Sequence, residues 1–264
     1  MILIPHLETD LTVACQLSCV ACNHMVPMWR DLGVWRADSK QVERDLNNLA
    51  RVVHANAWAA IGGEPLLHRN IVEIQEIARK SGIADQIEVW TNGLLLDTMP
   101  VEFWRAVDVI VLSIYDGKHD DDSLARIRHK ACHECVELVV KDERTWHNFR
   151  TNLEPVPTNA ADTKRKFDGC FFRQFSRVAN RGYFYTCCCA PHMPVLLQGR
   201  SHGSDGIAIN EHLTEATLRA YLERSEPLGC CTICAGRDTA KPVAWREERD
   251  PVKWVEASKG LDVK

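Results

Sequence analysis

The chain has 264 residues and a formal net charge of −4, with 32 Lys and Arg against 36 Asp and Glu. This balance predicts no basic surface of the kind that binds nucleic acid or an anionic membrane. Twelve residues are cysteine, a share well below the roughly 8–10% of disulfide-stabilised secreted domains. The N-terminal segment lacks a secretory signal pattern, and no apolar stretch is long enough to span a bilayer. We therefore expect a cytoplasmic protein whose clustered cysteines bind metal or act in catalysis.

The first two-thirds of the sequence alternates between strand-like and helix-like segments. The predicted strands cover residues 11–14, 57–61, 86–91, 107–114, 136–141 and 152–156, and the predicted helices cover residues 38–53, 70–80 and 120–129, with a short helix near Pro100. This alternation predicts an α/β fold with a parallel sheet and crossover helices. About six such units would form either a partial barrel or an open, doubly wound sheet.

Several residues that could carry chemistry fall at the carboxyl ends of these predicted strands. They are Cys15, the segment Gly62-Gly63-Glu64, Asn92 and Ser113. In parallel α/β folds the active site forms at this edge of the sheet. The sequence therefore predicts that these residues lie close together.

The pattern changes after about residue 157. The stretch that follows, residues 158–240, contains seven of the cysteines but few periodic segments, apart from a predicted helix over 215–224. A region with a poor apolar core and many thiols is typical of a small domain whose fold depends on a bound metal cluster. We expect the tail, residues 241–264, to form a short helix or to lie on the surface.

The first cysteine group has the spacing C-x3-C-x2-C, formed by Cys15, Cys19 and Cys22. Structural zinc sites use four ligands, and ferredoxin clusters also need a fourth thiolate. Three thiolates on one loop can hold three irons of a 4Fe–4S cluster and leave the fourth iron open. An open coordination position indicates catalysis rather than a structural role.

This motif, followed by Gly62-Gly63-Glu64-Pro65 at the end of the second predicted strand, resembles the radical S-adenosylmethionine (radical SAM) superfamily. The resemblance implies a partial (β/α)6 TIM-like barrel. It also implies that the open iron binds the methionine moiety of S-adenosylmethionine, whose reductive cleavage yields a 5′-deoxyadenosyl radical that abstracts a substrate hydrogen. In this family the Gly62–Pro65 segment receives the methionine amino group, and Asn92 and Ser113 contact its carboxylate and the ribose.

The residues around the third cysteine depart from the family in one respect. Ala21 stands where the family usually has an aromatic residue, which bears on adenine stacking rather than on cluster binding. His24 follows the motif, and we interpret it as a pocket residue rather than a ligand.

A second group of cysteines resembles the shortened "twitch" form of the SPASM auxiliary domain. The matching residues are Cys170, Gly182, Cys187, Cys231 and Cys234. The resemblance implies that the four thiolates hold a second 4Fe–4S cluster, with zinc as the alternative occupant by spacing alone. The remaining cysteines are interpreted as bystanders, with ligand or hydrogen-donor roles as alternatives; they are Cys132, Cys135, Cys188, Cys189 and Cys230.

The resemblance covers nearly the whole chain and implies a core domain over 1–157, a twitch domain over 158–240 and a C-terminal tail. In size and cysteine layout the chain is similar to the twitch-type dehydrogenases that oxidise an aminocyclitol alcohol in butirosin biosynthesis. This likeness implies oxidation of a small polar substrate, a sugar or aminocyclitol, with the auxiliary cluster as electron acceptor and flavodoxin or ferredoxin as reductant.

Three other functions stay open at this point. An epimerase of a sugar or nucleoside-like metabolite would use a cysteine as hydrogen donor. A maturase would modify a ribosomal peptide, although only fourteen residues precede Cys15 and leave no room there for a peptide-binding domain. A non-catalytic iron–sulfur electron carrier would have no use for the segment Gly62–Pro65.

Overall fold

The computed structural model describes residues 1–143, 145–148, 159–234, 236 and 241–259. The strands are β1 (Ile2–Thr12), β2 (Val53–Gly62), β3 (Ala84–Thr91), β4 (Val109–Ile114), β5 (Glu137–Asp142), β6 (Thr145–Asn148), β7 (Val178–Asn180), β8 (Tyr183–Tyr185), β9 (Ile207–Ala208) and β10 (Lys241–Ala244). The helices are α1 (Val26–Trp29), α2 (Ser39–Ala50), α3 (Ile71–Ser81), α4 (Val101–Ala106), α5 (Asp121–His133), α6 (Ala160–Asp168), α7 (Phe171–Phe175), α8 (Met193–Gln198), α9 (Glu215–Leu222) and α10 (Pro251–Lys259).

Within the described residues, eight strands form one mostly parallel sheet in the order β5-β4-β3-β2-β1-β7-β8-β9. Strands β1 to β5 pair in parallel, and β7 also pairs in parallel with β1. β8 and β9 extend this edge as antiparallel strands, while β6 and β10 form a separate antiparallel pair. The mixed α/β architecture confirms the predicted fold class and is consistent with a partial barrel. The sixth predicted strand, residues 152–156, lies outside the described residues.

The helix boundaries follow local capping signals. The side chain of Asp38 accepts a hydrogen bond from the backbone N of Lys40 at the start of α2, and Asp120 caps α5 through the backbone N of Ser123. α3 ends before Gly82, whose φ of 64° lies in the left-handed region that a glycine adopts without strain at a helix C-terminus. α2 ends at Ala50, three residues before the predicted end, because Val53 already begins β2.

The first strand is much longer than predicted, starting at Ile2 rather than at residue 11. Its two faces explain the difference. Leu7 and Leu11 pack into the main core, whereas Glu8 and Asp10, on the other face, are also buried. Since His6, Glu8 and Asp10 are polar yet buried, the middle of the strand shows neither the apolar run nor the exposed polar face that predicts a strand.

Two hydrophobic clusters hold the described part of the chain together. The larger one packs helices α2 to α5 on the sheet around side chains such as Trp58 and Trp104. The smaller one joins the loop of the first cysteine group to the second cysteine group and to Trp254 of α10, which is fully buried. Burying a large apolar side chain contributes about 1.5–3 kcal/mol, so the C-terminal helix is an integral part of this cluster. In the described residues, no helix combines the length and apolar character that crossing a bilayer requires.

Candidate active site

A cavity of about 360 Å³ opens at the carboxyl ends of strands β1 to β4. The predicted site residues that line it are Cys15, Cys19, Cys22, Gly62, Gly63, Glu64, Asn92 and Ser113. Pro65 does not line the cavity but begins a short 3-10 turn, Pro65–Leu67, capped by the Glu64 side chain. The fold therefore brings together residues that are spread over about a hundred positions of sequence.

The two glycines allow the end of β2 to lie directly against the chain that leads to Cys15. A Cβ atom on Gly62 would lie 2.5 Å from the carbonyl oxygen of Thr12, and one on Gly63 would lie 2.2 Å from that of Ala14. The backbone N of Gly63 donates to the Thr12 oxygen at 2.7 Å, so the two segments are joined by hydrogen bonds as well. The two glycines thus permit the close approach of the backbone of β2 to the backbone of the cysteine loop.

The Glu64 carboxylate is buried and holds the ends of β2 and β3 together. It accepts hydrogen bonds from Thr91 Oγ1 at 2.6 Å, from the Asn92 backbone N at 2.9 Å and from the Leu66 backbone N at 3.0 Å. Burial raises the pKa of Glu64 to about 7, although these hydrogen bonds oppose the shift. Glu64 thus fixes the backbone that presents Asn92 to the cavity.

Asn92 lies directly beside the first cysteine. Its Nδ2 is 3.7 Å from Cys15 Sγ, and its Oδ1 accepts from Gln16 Nε2 at 3.3 Å. Ser113, the other predicted residue at the end of a strand, lines the same cavity from the end of β4. It is hydrogen-bonded to the side chain of Tyr115. Both residues are therefore positioned at the cavity wall next to the cysteine loop.

Burial controls the acid–base state of the cysteine loop. It raises the pKa of the Cys15 thiol to about 12, and it also raises the pKa of Cys19 well above its ordinary value, with further increases from the neighbouring thiols. Burial therefore favours the protonated form of both thiols. Binding of a cationic centre would therefore displace protons from them.

The position before the third cysteine is closed by the C-terminal helix. Ala21 is buried in a left-handed conformation with a φ of 63°, and its backbone N donates to Ser258 Oγ at 3.3 Å. Trp254 Nε1 donates to the carbonyl oxygen of Cys19 at 2.8 Å. Sequence reasoning noted the missing aromatic residue at Ala21 but had no signal that α10 packs against this loop.

Sequence reasoning also missed polar and aromatic residues that line the cavity away from the cysteines. They are Glu8, Asn23, Trp90, Tyr115 and Glu143. Glu8 accepts a hydrogen bond from Ser176 Oγ at 3.0 Å, which links β1 to the segment before β7. An acidic residue inside a strand that is otherwise apolar was the available signal for Glu8.

The second cysteine group lines a separate pocket of about 30 Å³. All four predicted ligands, Cys170, Cys187, Cys231 and Cys234, line it. Burial raises the pKa of Cys170 to about 11 and that of Cys234 to about 12. Gly182, one of the residues that match the twitch form, lies in the turn of the hairpin formed by β7 and β8, at a φ of 80°.

Of the five additional cysteines, three line one or other of the two sites. Cys189 and Cys230 line the second pocket, whereas Cys188 lines the first cavity. The run Cys187–Cys189 thus passes between the two sites, which spacing alone did not predict. Cys132 and Cys135 are exposed and line neither pocket.

The chain matches no family model. It is 36% identical over 98 residues to a probable GTP 3′,8-cyclase of Methanothermobacter marburgensis, covering 36% of this chain and 30% of that protein. It is 33% identical over 109 residues to a GTP 3′,8-cyclase of Desulforamulus reducens, covering 39% and 31%. The chain therefore matches less than a third of the length of these two relatives.

Two solved structures share the fold over most of their length. One, described as BtrN in complex with AdoMet and 2-DOIA, has a TM-score of 0.50 and 13% identity, covering 84% of this chain and 82% of that one. The other, described as native anSMEcpe with bound AdoMet, has a TM-score of 0.52 and 13% identity, covering 96% and 97%. At this level of identity the likeness shows the fold alone. Together with the C-x3-C-x2-C loop, the Gly62–Pro65 segment and the sequence relatives, it supports the resemblance of the chain to the radical SAM superfamily.

Proposed function

We propose that the chain is a radical SAM enzyme that acts on a small polar substrate in the cavity of about 360 Å³. The observation that carries this proposal is that one cavity is lined by three cysteines, by Gly62-Gly63-Glu64 and by Asn92 and Ser113. Three thiols beside an open space fit a 4Fe–4S cluster with one unliganded iron. When bound, the cluster and S-adenosylmethionine would supply a 5′-deoxyadenosyl radical that takes a hydrogen atom from the substrate.

The roles of this chain's own residues follow from their contacts. Cys15, Cys19 and Cys22 would hold the cluster, and Asn92 would orient Cys15 through its Nδ2 contact of 3.7 Å. Gly62–Pro65, Asn92 and Ser113 would bind S-adenosylmethionine. The two structures with the same fold are both described with AdoMet bound, which supports this choice of cofactor.

The second pocket suits an auxiliary 4Fe–4S cluster held by Cys170, Cys187, Cys231 and Cys234. Its other described lining residues include Phe167, Met193 and Leu228, so bound iron would be shielded from water. On this basis the core is residues 1–157, the twitch domain is residues 158–240 and the tail is residues 241–264. Iron analysis separates the alternatives, because two clusters hold about eight irons, whereas one cluster and a zinc ion hold about four irons and one zinc.

The charges around the first cavity bear on the substrate. Glu8, Glu64 and Glu143 line it, and among its described lining residues only His24 could carry a positive charge, because none is Lys or Arg. A triphosphate such as that of GTP requires cationic partners, so the lining argues against the reaction for which the two relatives are named. Hydroxyl and ammonium groups suit carboxylates, which favours oxidation of a sugar or an aminocyclitol alcohol with the auxiliary cluster as electron acceptor.

One observation favours a second function, that of an epimerase. Cys188 lines the cavity in which the substrate would be bound, and a thiol can return a hydrogen atom to a carbon radical. In D2O an epimerase would leave deuterium on the product carbon, whereas a dehydrogenase would form an unlabelled ketone. Turnover of an aminocyclitol by the wild type and by Cys188→Ser separates the two, because loss of the thiol abolishes epimerisation but leaves oxidation intact.

The proposed function is tested by anaerobic reconstitution with iron and sulfide, followed by dithionite and S-adenosylmethionine. The wild type should form 5′-deoxyadenosine, and Cys15→Ala should not. Cys132→Ala is the matched control, since this exposed cysteine lines neither site. If reconstituted wild type forms no 5′-deoxyadenosine, the proposal is wrong. Replacing dithionite with reduced flavodoxin or ferredoxin then tests the reductant.

A further inference from the structure

A group of three side chains outside the cysteine sites has the composition of a metal centre. We propose that Asp10, His24 and His192 bind a divalent transition-metal ion at the wall of the first cavity. Each offers one ligand atom, and the three atoms lie within 4.8 Å of one another. The proposal needs only these three side chains and does not depend on radical chemistry.

The distances between the donor atoms match those around a bound ion. His24 Nδ1 lies 3.3 Å from His192 Nε2 and 3.3 Å from Asp10 Oδ1, and His192 Nε2 lies 3.2 Å from Asp10 Oδ2. Ligands at about 2.0–2.1 Å from a tetrahedral zinc ion are separated by about 3.3–3.4 Å. Each imidazole nitrogen thus lies at a zinc-ligand separation from one carboxylate oxygen of Asp10, His24 from Oδ1 and His192 from Oδ2.

The surroundings hold the donors in place and leave one of their polar atoms without a partner. Asp10 and His192 are buried, and Asn180 Nδ2 donates to Asp10 Oδ2 at 2.7 Å, which fixes the carboxylate. Among the described residues, His192 Nδ1 is buried without a hydrogen-bond partner. Asp10 Oδ1 lies 3.3 Å from His24 Nδ1, which is the geometry of an ion pair when His24 is protonated, and a metal ion would take the place of that proton between the two atoms.

Two imidazoles and one carboxylate are the protein ligands of many catalytic zinc sites and of the non-haem iron(II) triad, and both types leave a position open. Here His24 lines the cavity, with its side chain 19% exposed, whereas Asp10 and His192 lie behind it. The open position would therefore be reached from the cavity and would accept an oxygen atom from water or from a small molecule bound there.

The first experiment counts zinc in the holoenzyme. With both cysteine sites filled with iron, the protein is dialysed against buffered Zn²⁺, and zinc and iron are measured by mass spectrometry. We expect about one zinc per chain in the wild type and at least tenfold weaker binding in Asp10→Asn and His192→Gln. His202→Gln is the matched control, because His202 stacks on the same Trp29 ring that His192 contacts at its edge but offers no donor to the group. Wild-type protein that binds no zinc, or a His192→Gln variant that binds zinc as the wild type does, would overturn the proposal.

A second measurement on the wild type avoids any dependence on variant folding. X-ray absorption at the zinc edge should show nitrogen and oxygen neighbours at about 2.0–2.1 Å and no sulfur at about 2.3 Å. Sulfur neighbours would place the zinc on cysteines and would contradict the site. Unchanged iron content and circular dichroism in the variants would show that their loss of zinc is local.

Discussion

The two cysteine sites differ most in the space beside the thiols. The first has three predicted ligands and a cavity of about 360 Å³ with carboxylate, amide and hydroxyl groups in its wall. The second has four predicted ligands, two further cysteines and only about 30 Å³ of space. A site that leaves room for a second molecule suits chemistry, whereas a closed site suits storage or transfer of electrons. From the number of cysteines alone, the second site would have been chosen as the reactive one.

The largest expected effect separates the sites directly. Cys22→Ala should lower 5′-deoxyadenosine formation by about a thousandfold or more, because the open site loses a cluster ligand. Cys231→Ala should leave this rate within about threefold while about half of the iron is lost, because the second site lies in a separate pocket. The rates are measured by chromatography on anaerobically reconstituted protein. If Cys231→Ala abolishes 5′-deoxyadenosine formation without unfolding, the proposal that the first site alone cleaves S-adenosylmethionine is wrong.

Substituting one glycine in each region tests how tightly the backbone is packed there. Gly63→Ala should lower the free energy of unfolding by about 3 kcal/mol or more, because the new Cβ would lie 2.2 Å from the backbone oxygen of Ala14. Gly182→Ala, in the hairpin of the second region, should cost about 1–2 kcal/mol, since its neighbour is only Gln41 Nε2 at 3.6 Å and the cost is that of a φ of 80°.

Both values come from chemical denaturation followed by circular dichroism. Equal losses of stability in the two glycine variants would show that the contact between β2 and the cysteine loop can relax. The closer backbone contact at Gly63 would then make no difference to the free energy of unfolding.

What the sequence could predict of these regions depended on local markers. Cys15, Gly62 and Asn92 follow recognisable strands, so their meeting at one edge of the sheet was predictable. Asp10 and His192 were not, because they are far apart in sequence and Asp10 lies inside a strand whose buried face is polar. The packing of α10 on the cysteine loop depends on a contact between Trp254 and Cys19, which are too far apart in sequence for a local pattern to predict it.

The pH dependence of stability should reveal the contribution of the buried Glu64 carboxyl. Burial raises its pKa from 4.5 in the unfolded chain to about 7 in the fold, so folding favours the protonated form. Its contribution to stability is complete below pH 4.5 and is lost as the pH rises towards 7. Across this window, the wild type should lose about 1–3 kcal/mol more than Glu64→Gln, which has no carboxyl to ionise.

The measurement is the free energy of unfolding at several pH values for both proteins. The difference between the wild type and Glu64→Gln isolates this carboxyl from other titrating groups. If the free energy of unfolding changes with pH in the same way in both proteins, Glu64 is charged in the folded protein. The contact that it makes between β2 and β3 would then not depend on pH.

The smallest effect concerns the connection between the two regions through α10. Trp254→Phe removes the indole donor that hydrogen-bonds the carbonyl oxygen of Cys19 at 2.8 Å and leaves that oxygen without this partner. Trp104→Phe is the matched control, because Trp104 is equally buried but its Nε1 has no hydrogen-bond partner among the described residues. We expect Trp254→Phe to cost about 1–2 kcal/mol more than Trp104→Phe. Since the lost hydrogen bond acts on the cysteine loop, iron retention during dilution should fall in Trp254→Phe alone. Equal losses of stability and iron in both variants would mean that α10 covers this loop without positioning it.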